Sequence, residues 1–126
     1  MASRLSFPRQ RRIRKRREYL LVQGRGRRIS GRNYLFFVRP RVDLPLGGVA
    51  TPARFGITVT RKVGNAVARN RIKRIVREGC RHLASKFPVG LDLVVVARPS
   101  AVDVNFRTFC GELTDLLSRL GSVVRR

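Results

Sequence analysis

The chain has 126 residues, enough for one domain with one modest core, and its 43% hydrophobic content supplies that core and excludes wholesale disorder. Its 29 Lys and Arg against 7 Asp and Glu leave a formal charge of +22, too large to be neutralised within the fold, so the surface demands a polyanion, nucleic acid first. The apolar runs 34–38 and 93–97 fall short of the roughly 18 residues of a spanning helix, and no apolar segment follows the basic N-terminus as in a secretory signal, so no membrane partner is expected and the protein reads as cytoplasmic.

In chain order, residues 1–15 read as a flexible basic tail: seven of the nine residues 9–17 are Arg or Lys, with Gln10 and Ile13 the exceptions. A short helix is expected over about 16–23, with Tyr19 and Val22 on one face and Gly24 and Gly26 ending it. Residues 32–39 (RNYLFFVR) read as a strand with Tyr34, Phe36 and Val38 on one face and Leu35, Phe37 and Arg39 on the other. Pro40, Pro45, Gly47, Gly48 and Pro52 make 40–53 a loop. A second strand covers about 54–60, with Phe55, Ile57 and Val59 on its apolar side. A long helix occupies 66–87, and 91–98 (LDLVVVAR) forms a buried strand. Asn105 suits the N-cap of a last helix whose apolar positions are Phe106, Phe109, Leu113, Leu116, Leu117 and Leu120. Gly121 closes it. The domain thus spans 16–121, between the basic tail and a C-terminal tail at 122–126.

In the helix 66–87, at 100° per residue, Ile75, Val76, Gly79, Cys80, Leu83 and Phe87 fall within about 80° of Ile72 and form the core face. Asn70, Lys73, Arg74, Arg77 and Arg81 fall opposite, a stripe without an acid, with Glu78 directed elsewhere. Solvated helix faces commonly mix signs to gain i,i+4 pairs, whereas like charges at that spacing cost a few tenths of a kcal/mol each, which an external polyanion reverses. The stripe is therefore read as a phosphate-binding surface. Arg69 and Arg71 flank its start, and Arg61 and Lys62 precede it in a loop where Gly64 allows backbone amides to approach an anion.

No catalytic or metal site is expected in the protein's own side chains. Metal-dependent phosphodiester cleavage needs convergent carboxylates, and the seven acids (Glu18, Asp43, Glu78, Asp92, Asp103, Glu112 and Asp115) read as scattered through loops and helix surfaces. Glu112 and Asp115 share helical spacing and read as solvent-facing. His82 is the sole histidine, which excludes a two-histidine ribonuclease mechanism. Cys80 and Cys110, without metal-ligand spacing, read as reduced thiols.

Residues 61–81, RKVGNAVARNRIKRIVREGCR, resemble the signature segment of the bacterial ribonuclease P protein family, whose pattern is close to K-x-G-x-A-V-x-R-N-x-x-K-R. Lys62, Gly64, Ala66, Val67, Arg69, Asn70, Lys73 and Arg74 fill it. The likeness extends over roughly 12–120, through KRREYLLVQGRGRR, FGITVTR and LVVVARP. It implies a small α+β sandwich of order α-β-β-β-α-β-α with a left-handed βαβ crossover. It implies a protein subunit that binds the catalytic RNA subunit and the 5′ leader of precursor tRNA, assisting endonucleolytic leader removal. By the same resemblance Mg²⁺ acts with the RNA, and the protein alone binds no cofactor. Arg69, Asn70 and Arg71 match the family's RNR motif, extended by Arg61, Lys62, Asn65, Lys73, Arg74, Arg77 and Arg81. Tyr19 and Phe37 match the aromatic wall of its leader cleft. One departure stands out: Gln23 occupies a place often aromatic.

A ribosomal or RNA-chaperone protein is the nearest alternative, since charge and fold class fit it equally well while the RNR segment does not. A stand-alone ribonuclease is opposed by the carboxylate inventory. Composition alone permits a DNA-binding architectural protein, but DNA is not the expected partner.

Overall fold

The computed structural model describes residues 12–41 and 52–124, with side chains as far as Leu120. Its elements are α1 (Arg16–Arg25), β1 (Arg27–Ser30), β2 (Tyr34–Pro40), β3 (Arg54–Thr58), α2 (Ala66–Leu83), β4 (Leu91–Ala97) and α3 (Phe106–Val124). The order is the α-β-β-β-α-β-α of the expected α+β fold. The strands lie as β1-β2-β4-β3, with β2 antiparallel to β1 and β4, and β3 parallel to β4. β4 is thus an interior strand with helices over both faces, which is why LDLVVVA runs apolar without a clean alternation.

The main core lies on one face of the sheet, where Tyr34, Phe36 and Val38 of β2 and Leu93 and Val95 of β4 meet Ile72, Val76 and Cys80 of α2 and Phe109, Leu113 and Leu116 of α3. A smaller core on the other face joins Val94 to Val22 of α1 and to Ile13, with Tyr19, Phe37 and Val96 at its margin. Both long helices begin on asparagine caps: Asn65 Oδ1 accepts the Ala68 N–H at 2.9 Å and Asn105 Oδ1 accepts the Thr108 N–H at 2.8 Å. Gly79 sets the approach of α2 to α3, since a Cβ there would lie 2.4 Å from the Phe109 ring.

The tail expected over 1–15 is structured from Arg12 onward. Ile13 is buried and its N–H donates to Phe55 O at 2.9 Å, and Arg12 forms a parallel bridge with Phe55, so the chain enters along the free edge of β3. Residues 1–11 lie outside the described residues, as do 42–51 of the expected loop. α1 passes through Gly24 to Arg25 and ends on Gly26, where a Cβ would come within 2.3 Å of Val22 O. α2 stops at Leu83; a 3-10 turn (Ala84–Lys86) then brings Phe87 edge-on to Phe55, so its burial is helical neither in cause nor in place. β3 ends two residues before the expected Thr60. α3 continues past Gly121 to Val124, because a single glycine costs a helix only about 1 kcal/mol.

Candidate nucleic-acid interface

Arg61 and Lys62 are exposed in the turn before α2, anchored by the buried Val63. Asn65 is occupied as the helix cap, and Arg69 folds back so that its Nε donates to Gly64 O at 3.1 Å. Asn70, Arg74 and Arg77 are exposed and Lys73 is half-buried on the flank facing α1. Arg71 turns to the opposite flank, where its Nη1 donates to Val102 O and Val104 O at 3.3 and 3.4 Å. The RNR segment is therefore split: Asn70 belongs to the outward face, while the two arginines bend to either side.

The stripe is not free of acid at its far end. Glu78 forms an ion pair with Arg81, three residues on, and lies 3.8 Å from His82 Nε2. Helical geometry explains it: Glu78 and Arg81 are i,i+3 neighbours, so a face drawn from angles alone misses the reach of the two side chains. Among the described residues, Lys73, Arg74 and Arg77 have no carboxylate partner, and they are the unneutralised cations of the stripe.

Arg12 and Arg14, assigned by sequence to the tail, join this face. A groove of about 340 Å³ at the free edge of β3 is lined by Arg12, Arg14, Tyr19, Gly56, Lys73 and Arg77 among others. It shares Arg14, Tyr19 and Lys73 with a groove of about 600 Å³ that Arg16, Gln23, Thr58 and Val59 also line. It shares Arg12 and Arg77 with a third that reaches Arg74 and Arg81. The three form one trough from α1 to α2, rimmed by cations. Ile13, the lone apolar residue between the arginines, was the signal that this part of the tail is anchored.

The Tyr19 ring packs against the sheet where Gly56 leaves room, since a Cβ there would come within 2.7 Å of it, and its hydroxyl accepts the Ile57 N–H at 3.2 Å. Phe37, Val94 and Gly56 are cross-strand partners in one row, so Tyr19 and Phe37 share a sheet face with the buried Val94 between them. Gln23 lines the second of these grooves beside Tyr19, while Phe37 packs with Tyr19 against the small core of Ile13, Val22 and Val94.

Five of the described acids, Glu18, Glu78, Asp92, Glu112 and Asp115, are engaged by other side chains. Asp92, expected at the surface, is 2% exposed in β4, where it accepts hydrogen bonds from Arg41 and from Arg54 Nε and Nη2 at 2.9 and 2.8 Å. The bond to Asp92 pushes the Arg54 pKa up against the opposing effect of burial, and Glu18 adds to it at 3.3 Å. Glu112 also departs from the solvent-facing reading: its two oxygens accept Asn33 N–H and Nδ2–H at 3.1 and 2.6 Å, closing the turn between β1 and β2. Asp115 pairs with Arg119 at 3.2 Å. Among the described residues no group of three or more His, Cys, Asp or Glu gathers as metal ligands do, and no helix is long and apolar enough to cross a membrane. Cys80 is buried and Cys110 half-buried, both as free thiols whose pKa values burial pushes up.

A profile of the family described as Ribonuclease P matches residues 7–121. A ribonuclease P protein component from Syntrophus aciditrophicus (strain SB) is 36% identical over 117 residues, 92% of each chain. One from Desulfovibrio desulfuricans is 41% identical over 119 residues, covering 93% of this chain and 88% of its own. Among solved structures, the RNase P protein from Thermotoga maritima superposes with a TM-score of 0.71 at 34% identity over 86% of this chain and 96% of that one. The Staphylococcus aureus RNase P protein gives 0.73 at 28% identity, over 86% and 93%.

Proposed function

The chain belongs to the ribonuclease P protein family and is the protein subunit of a ribonucleoprotein endoribonuclease, and on that footing we propose how its surfaces serve removal of the 5′ leader from precursor tRNA. The outward face of α2 docks on the catalytic RNA subunit: Asn70, Lys73, Arg74 and Arg77 contact phosphates, with Arg61, Lys62, Arg69 and Arg71 around the helix start. Asn65 acts through its cap, holding that start in place, and Arg81 contributes less because Glu78 already neutralises it. The leader runs in the trough beside α1, against Tyr19 and Gln23, with Phe37 further along the same sheet face. The RNA-binding unit is 16–121 together with the arm from Arg12, and its place of action is the cytoplasm.

Mg²⁺ held by the RNA subunit supplies the hydrolytic chemistry that leaves a 5′-phosphate on the tRNA. The protein's described carboxylates do not fit a metal site: they are dispersed, and Glu18, Glu78, Asp92, Glu112 and Asp115 are tied to arginines or to Asn33. What the side chains do is neutralise charge and orient: cations between two RNA strands release their counterions and let the strands approach, and a gripped leader converts encounter into positioning. The observation that supports this reading is the stack of Lys73, Arg74 and Arg77 without a carboxylate partner among the described residues. Sequencing the RNA that copurifies with the protein tests it. One abundant structured RNA together with precursor tRNAs is expected; bulk ribosomal RNA or DNA would contradict it.

A further inference from the structure

We propose that the Tyr19 hydroxyl is the centre of a phosphodiester-binding site, encircled by Arg12, Arg14, Lys73 and Arg77, in addition to any stacking its ring provides. Tyr19 Oη accepts the Ile57 N–H at 3.2 Å, which uses a lone pair and leaves the phenolic proton to be donated elsewhere. Among the described residues no acceptor takes it, so the hydroxyl is a donor directed to whatever fills the groove. Gly56 fixes this arrangement, because its missing Cβ is what lets the ring lie against β3 with Oη at the strand's free edge.

The cations arrive in pairs from two elements. Ile13 is buried and hydrogen-bonded to β3, so the extended arm turns Arg12 and Arg14, two residues apart, to the side opposite Ile13. Lys73 and Arg77, four apart on α2, share one helix face. All four line the same groove as Tyr19 and none has a carboxylate partner among the described residues. Like charges held together against repulsion, with one directional donor between them, match an anion that is small, singly charged per unit and continuous with its neighbours. A phosphodiester of a single RNA strand meets all three conditions. The site rests on the RNA-binding reading above, and it changes Tyr19 from an aromatic surface into a hydrogen-bond donor.

The holoenzyme, assembled from the full chain and its RNA subunit, tests this with precursor tRNAs carrying one neutral methylphosphonate at each leader linkage in turn. Tyr19→Phe keeps the ring and removes the proton. It is expected to weaken precursor binding on the order of tenfold, the loss of one hydrogen bond to a charged group. At one linkage the methylphosphonate should weaken the wild type similarly, and Tyr19→Phe should then add nothing. Arg14→Gln should lose its own penalty at that same linkage, which separates contact with the phosphate from damage to the β3 edge. If Tyr19→Phe is instead additive at every leader linkage, but binds the isolated RNA subunit about tenfold more weakly, the phosphate belongs to that subunit. Additivity everywhere together with wild-type affinity for the RNA subunit overturns the site. A wild-type protein that gives leader-bearing precursor no advantage over leaderless precursor overturns the leader reading instead, and the RNA-subunit arm then decides the site alone.

Discussion

Replacing Arg74 and Arg77 together by alanine isolates the electrostatic part of RNA binding. Both side chains are exposed and neither has a carboxylate partner among the described residues, so their removal strands no acid. Unfolding free energy should stay within about 0.5 kcal/mol of wild type, since surface substitutions rarely do more and some like-charge repulsion is relieved. Each lost phosphate contact lowers the magnitude of the log–log salt slope by about 0.7–0.9, so the pair should lower it by about 1.4–1.8. The gap in Kd between variant and wild type should therefore narrow by roughly tenfold between about 0.1 M and about 0.5 M KCl. Fluorescence anisotropy of labelled RNA subunit over that range measures it. Arg81→Ala is the internal control: with Glu78 beside it, its loss should change the slope by less than one contact. An unchanged slope in the double variant, or an Arg81→Ala effect equal to that of Arg77→Ala, would refute the reasoning.

Four further outcomes concern the fold. Asp92→Ala leaves Arg41 and Arg54 without their buried partner and should cost about 3–5 kcal/mol in urea unfolding. Gly79→Ala forces a methyl against Phe109 and should cost about 1–3 kcal/mol or more by the same assay. Tyr34→Phe removes a buried hydroxyl that has no hydrogen-bond partner among the described residues, so it should leave the melting temperature unchanged or higher; a drop of several degrees would show an unseen partner. Burial pushes the Cys80 thiol up, so the native chain keeps a proton that the unfolded chain releases in the ordinary thiol range. Stability contributed by that protonated state is present below the thiol range and falls as pH rises through it. Unfolding midpoints from pH 7 to 10 should decline in the wild type and decline less in Cys80→Ala.

The central helix and the interior strand were legible because each carries a strong period: 3.6 in α2, where one face is wholly apolar, and an unbroken apolar run in β4. β1 entered the expectation only through the element order that the resemblance implies, because RRIS offers a single buried residue, Ile29, and an edge strand is held by its ladder to β2 rather than by its own pattern. The anchoring of Arg12 and Ile13 left a single local signal, the apolar Ile13 among arginines, and pairing with β3 is what distinguishes that segment from a basic tail. At the site, α2 gave up its cations from angles alone. The Glu78–Arg81 pair stood at i,i+3 spacing and was within reach of the sequence, whereas the back-bonding of Arg69 and Arg71 and the burial of Asp92 depend on side-chain reach and on strand order. Tyr19 was found only through a resemblance, and its tie to Ile57 through Gly56 required the sheet to be assembled.

Cleavage of precursor tRNA by the RNA subunit at limiting Mg²⁺, with and without this protein and with long or absent leaders, bears most directly on what the basic trough is for. Cleavage of the leader-bearing substrate should become efficient at lower Mg²⁺ when the protein is present, the leaderless substrate should gain less, and the protein alone should cut neither. Equal rates with and without the protein, or cleavage by the protein in the absence of RNA, would contradict the account.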